Sequence, residues 1–139
     1  MAGIKAKNTK PEMIVRRGLH GMGFRFRLHD SKLPGKPDLV LPKYHAVIFV
    51  NGCFWHGHDC EFFKWPKTRE EFWREKIGRN RALDLANAER LAFKGWRNLT
   101  IWECALRRSK GATIDMALQR AEHWLVAGLG SQEIAGRFA

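Results

Sequence analysis

The sequence predicts an α/β domain built on a central mixed sheet flanked by helices. Three observations lead there. Segments of helical periodicity interrupt segments of strand periodicity, one connection between strands, Pro42-Lys43-Tyr44, is short enough to allow only a hairpin, and 139 residues with 45% hydrophobic content suit one core. Residues 1–139 are therefore expected to form a single domain.

Each element follows from its residues. Thr9-Lys10-Pro11-Glu12 has the spacing of a capping box, and Met13, Ile14, Leu19 and Met22 suit a helix stopping at Gly21 or Gly23. Phe24-Arg25-Phe26-Arg27-Leu28 alternates apolar residues with arginines, the pattern of a strand with one wet face. After the Pro/Gly turn Leu33 to Pro37, Asp38 to Leu41 reads as a second strand. Ala46 to Val50, apolar throughout, reads as a third and central one. Thr68-Arg69-Glu70-Glu71 repeats the capping signature before a long helix through Phe72, Trp73, Ile77, Leu83 and Leu91, ending at Gly95. Arg97 to Trp102 is a fourth strand, and a last helix runs from about Thr113 to Ala127.

A net charge of +11 on this length points to a polyanion. Six tryptophans among the cations favour nucleic acid, because rings beside positive charge are what unstacked bases bind. No stretch has the length and apolarity of a membrane span, and Met1 to Lys10 lacks a signal-peptide core, so a soluble intracellular protein with no membrane partner is expected.

Cys53, His56, His58 and Cys60 fall within eight residues after the central strand, and Cys104 follows the fourth. If these strands are neighbours, the thiolates and an imidazole compose a closed tetrahedral zinc site. A disulfide is the weaker reading, since three cysteines leave one over. Three thiolates leave room for one histidine, and spacing does not choose between His56 and His58.

Asp38 heads a strand where a side chain can project into a cleft, although Pro37-Asp38 also fits a turn-capping role. Carbonyls at the end of the Phe49-Val50-Asn51 segment are hard oxygen ligands suited to Mg²⁺. Glu12 is explained by the Thr9 cap unless the helix N-terminus faces the same cleft.

Together Lys7 to Glu12, Leu33-Pro34-Gly35-Lys36-Pro37-Asp38, Val50 to Cys60 with its Gly-Cys-Phe-Trp-His-x-His-x-Cys core, Phe72 to Asn80, and Trp102-Glu103-Cys104-Ala105-Leu106 resemble the very short patch repair (Vsr) endonuclease family. The resemblance implies a restriction-endonuclease-like fold with a structural zinc site. It also implies Mg²⁺-dependent nicking of double-stranded DNA 5′ to the thymine of a T·G mismatch, the lesion left by deamination of 5-methylcytosine. By motif, Asp38 and the main-chain carbonyl of Val50 would hold the catalytic Mg²⁺, Glu12 would orient water, and His56 would be the catalytic imidazole. Cys53, His58, Cys60 and Cys104 would bind Zn²⁺, and Phe54, Trp55 and Trp73 would push into the duplex. Trp96, Trp102 and Trp124 are left to the core. Asn51 stands where some relatives have a histidine, which leaves it a possible phosphate contact. The basic arm expected ahead of the first Ile is short or missing before Ile4. A monomer in the bacterial cytoplasm at the nucleoid, with mismatch-repair proteins as candidate partners, completes the expectation. The alternatives are a nickase of relaxed specificity and a zinc-stabilised DNA-binding module without activity.

Overall fold

The computed structural model describes residues 9–58, 60, 63–106 and 111–135. The stretch before Thr9, and with it the N-terminal arm, lies outside them. In chain order the elements are α1 (Lys10–Gly21), β1 (Arg27–Leu28), β2 (Leu39–Leu41), β3 (Ala46–Asn51), α2 (Glu70–Phe93), β4 (Arg97–Trp102), α3 (Gly111–Ala127) and β5 (Gln132–Ile134). They form a mixed sheet in the order β1-β2-β3-β4-β5, with β3 central as expected. The β1/β2 and β2/β3 pairs are antiparallel, whereas β3/β4 and β4/β5 are parallel. A parallel neighbour needs a crossover, and α2 and α3 supply the two required. The Pro42–Tyr44 connection makes the hairpin as a single 3-10 turn, closed by His45 in left-handed backbone.

Leu39, Val40 and Leu41 are all buried because the sheet is covered on both faces. On one face Leu39, Leu41, Ile48, Leu99 and Ile101 pack with Val15 and Leu19 of α1 and Trp124 and Leu125 of α3. On the other, Val40 and Val47 pack with Leu91 of α2, flanked by Phe49 and Trp96. Trp102 and Trp124 are thus buried, as read from sequence, while Trp96 packs half-buried against the second cluster.

Three expectations need correcting. The strand expected from Phe24 shrinks to Arg27–Leu28, because the Phe24 N–H bonds back to the Leu19 carbonyl at the end of α1 and the Phe24 ring turns inward against Tyr44. Thr68 does not cap α2. The helix begins at Glu70 behind Arg69, whose backbone is left-handed, so the capping spacing is one residue out of step. Along α2 only Ile77 and Leu91 are buried, and Leu83 is 56% exposed because it sits about a third of a turn away from their face. The strand β5 was not anticipated: three residues with only Ile134 buried are too short to carry a period.

Arg97 ties three elements together. Its guanidinium donates to the carbonyls of Trp124, Leu125 and Gly128 at the end of α3 and to Tyr44 in the hairpin, and lies 4.5 Å from the Trp124 ring centre. A cation there also meets the negative end of the helix dipole. Arg97→Ala takes the donor from the Leu125, Gly128 and Tyr44 carbonyls and one of two from the Trp124 carbonyl, and is expected to destabilise the chain by about 3 kcal/mol. The check is thermal unfolding, with Tm falling by roughly 10 °C and Arg97→Lys recovering only part of it.

Candidate active site and metal centre

The site gathers at the end of the sheet where β2 starts and β3 finishes. Asp38 precedes β2, and its Oδ2 accepts from the Val50 N–H on β3 at 2.7 Å. The carboxylate therefore bonds across to the next strand. The N–H and C=O of one strand residue point to the same edge, so the Val50 carbonyl faces the same side as the bond that Asp38 accepts. Burial is the main reason that the Asp38 carboxyl is pushed up to about 6, and Glu12 nearby adds to it, while the Val50 N–H, His29 and His56 act against it. A carboxylate so placed is relieved by a cation.

Glu12 reaches this cleft from α1. The Thr9 hydroxyl does accept from the Glu12 N–H at 3.4 Å, as the capping spacing predicts. The Glu12 carboxylate, however, is 2% exposed and meets His29 Nε2 at 2.6 Å, with Arg16 Nη1 at 3.7 Å from the same oxygen. The helix N-terminus thus faces the cleft, and its glutamate is more than half of a cap. Ligand atoms of Glu12, His29 and Asp38 lie within 4.8 Å of one another. His29 carried no signal in the sequence, because it ends the Phe-Arg alternation and adopts φ 47°, a backbone region no periodicity anticipates.

The segment after β3 holds the rest. His56 Nδ1 lies 2.6 Å from Asp84 Oδ2 on α2. The Asn80 amide donates to the Trp55 carbonyl at 2.9 Å. Gly57 turns at φ +61° directly over Ile77, where a Cβ would come within 2.5 Å of the Ile77 Cγ2. Ile77, Asn80 and Asp84 thus form one stripe of α2 under the segment, at spacings of three and four residues. That stripe is the signal by which Asp84 could have been found.

Cys53, His58, Cys60 and Cys104 bring their ligand atoms within 4.8 Å of one another, and this cluster could hold a metal ion. The three cysteines are free, which removes the disulfide reading. Cys104 Sγ and His58 Nδ1 are 3.7 Å apart, close to the separation of about 3.6 Å that Zn–S and Zn–N bonds impose at a tetrahedral angle. A hydrogen bond with the Cys104 side chain and burial push the Cys53 thiol far above the ordinary thiol range. His58 lies flat on Trp102, with centroids 4.0 Å apart and planes 3° from parallel, and Trp102 Nε1 donates to Glu133 on β5 at 3.0 Å. His56 points to Asp84 instead, so the geometry separates the two histidines that spacing could not.

Phe54, Trp55 and Trp73 pack on one another with centroids 4.9 to 5.6 Å apart, Phe54 edge-on to both tryptophans. The sequence reading missed that Phe63 and Trp65 extend it, with Arg74 4.2 Å from the Trp65 ring centre. Asn51 ends β3 opposite Trp102 and is partly exposed.

A family model described as DNA mismatch endonuclease Vsr matches residues 1–62. The DNA mismatch endonuclease Vsr of Escherichia coli K12 is 44% identical over 134 residues, covering 96% of this chain and 86% of that protein. The chain belongs to the Vsr family. Among other relatives, the type II nicking enzyme V.XorIIP of Xanthomonas oryzae pv. oryzae is 49% identical over 76% of this chain and 78% of its own length. The type II nicking enzyme V.NmeAIP of Neisseria meningitidis is 45% identical over 77% of this chain and 76% of its own. The Vsr membership and the clustered carboxylates, imidazoles and thiols describe a DNA endonuclease with residues able to hold metal at two places.

Proposed function

We propose that this Vsr-family chain nicks double-stranded DNA 5′ to the thymine of a T·G mismatch. The observation that carries the reading is the convergence of Asp38, Glu12 and the His56–Asp84 pair at one end of the sheet, beside the half-buried aromatic group of Phe54, Trp55 and Trp73. We read the mixed sheet with its helices as a restriction-endonuclease-like arrangement in one domain spanning residues 1–139. We place it in the bacterial cytoplasm at the nucleoid, acting as a monomer with mismatch-repair proteins as candidate partners.

Asp38 and the Val50 carbonyl would hold Mg²⁺, which when bound offsets the charge that builds on the scissile phosphate. The donor set fits, being oxygen-rich and half-buried. His56 serves as general base. Its Nδ1 faces Asp84, which leaves Nε2 to take the proton of the attacking water, and the Asp84 carboxylate stabilises the imidazolium that forms. Glu12 orients that water. A new P–O bond forms from water, and the P–O bond to the 3′ oxygen breaks, that oxygen taking a proton from solvent to leave as the 3′ hydroxyl beside a 5′ phosphate. Asn51 is assigned to the flanking phosphate as a neutral donor.

Zn²⁺ at Cys53, His58, Cys60 and Cys104 would fix the segment that carries both His56 and the Phe54-Trp55 pair. Phe54, Trp55 and Trp73 open the base step. Unstacking costs a few kcal/mol and costs least at a mismatch, so insertion selects the lesion before hydrogen bonds are read.

A panel of duplexes carrying T·G, other mispairs and matched pairs, with varied flanks and with Mg²⁺, tests the reading. The expected product is a single nick 5′ to the thymine, above the Asp38→Ala background. Equal nicking of every mispair would favour a relaxed nickase, and lesion-dependent binding without cleavage would favour a binding module.

A further inference from the structure

His29 takes no part in the reaction derived above, yet its ring lies between two residues that do. Its backbone N–H donates to the Asp38 main-chain carbonyl at 3.1 Å, and its ring Nε2 is 2.6 Å from Glu12 Oε2. A left-handed backbone costs energy for a side chain of this size and persists where the surroundings hold it. Here the bond to Asp38 does so, and it aims the imidazole at the space both carboxylates face.

We propose that His29 supplies a nitrogen donor to the cation held at Asp38, making the site a mixed nitrogen and oxygen centre that prefers Mn²⁺ to Mg²⁺. The proposal rests on the reading of Asp38 as a metal ligand. The three ligand atoms, all within 4.8 Å, are close enough to share one ion. An all-oxygen set suits Mg²⁺, whereas an imidazole shifts preference along the first transition row, where Mn²⁺ is the ion that still accepts carboxylates readily.

The test is Mn²⁺ binding to the zinc-replete full chain, followed by electron spin-echo modulation from nitrogen. Wild type is expected to show ¹⁴N coupling that changes on ¹⁵N-histidine labelling and survives in His56→Ala. His29→Gln is expected to lose the coupling and to loosen Mn²⁺ by about tenfold or more, with Mg²⁺ competition changing far less. Coupling that persists in His29→Gln, or Mn²⁺ bound to wild type with no histidine coupling, overturns the proposal and leaves His29 as a hydrogen-bond partner of Glu12. Should His29→Gln not fold, the isotope shift in wild type and His56→Ala still decides whether a histidine other than His56 binds. Nicking of T·G duplex by wild type, run alongside, keeps the readings apart. Cleavage without the coupling defeats only this inference, and coupling without cleavage defeats only the endonuclease reading.

Discussion

Asp38→Ala is expected to slow T·G nicking by about 10³-fold or more, a loss of roughly 4 kcal/mol of transition-state stabilisation. The argument begins with position: the carboxylate is tied to the Val50 N–H at 2.7 Å, so it is held rather than free to be replaced by a neighbour. Asp38→Asn separates charge from shape, since its amide oxygen can still accept from Val50. It is expected to be nearly as inactive while unfolding at the wild-type temperature. Duplex binding should hold or tighten in both variants, because each removes a negative charge from a cleft that faces a polyanion. Single-turnover nicking and gel-shift titration at fixed salt are the measurements. Full activity in Asp38→Asn would remove Asp38 from the chemistry.

The second large effect divides two histidines that lie two residues apart. Under the proposed zinc assignment, His58→Ala should lose zinc and unfold, because a structural site of this type contributes on the order of 10 kcal/mol against a total stability of about 5–15. His56→Ala should keep zinc and Tm and lose about 10²- to 10⁴-fold in nicking rate. Metal content, thermal unfolding and nicking on the same preparations check this. The contrast follows from the partners, Cys104 and Trp102 for His58 and Asp84 for His56. The reverse pattern would exchange the two roles.

Much of this was legible in the sequence because periodicity reports burial. Ala46 to Val50 read as central because an uninterrupted apolar run needs cover on both faces, and α1 and α3 cover one while α2 covers the other. The Arg97–Trp102 bounds were read directly. Residues whose roles come from pairing across the fold were not legible. Asp84 looks like any solvated acid on a long helix until His56 is brought above it, and His29 follows a strand only two residues long. Glu133 orients Trp102 from a strand too short to announce itself. Thr68 shows the opposite failure: a correct local motif is overridden because Arg69 takes the left-handed turn that starts α2.

Trp55 and His56 are consecutive, and α2 holds the first by its carbonyl through Asn80 and the second by its ring through Asp84. Under the proposed reading, the ring that opens the duplex and the base that serves the cut are separated by one peptide unit of about 3.8 Å. The segment is then a molecular ruler. The distance from lesion to cleaved bond is set by covalent geometry, so a chain displaced on the duplex would misplace both groups together, and inspection and incision could not fall out of register.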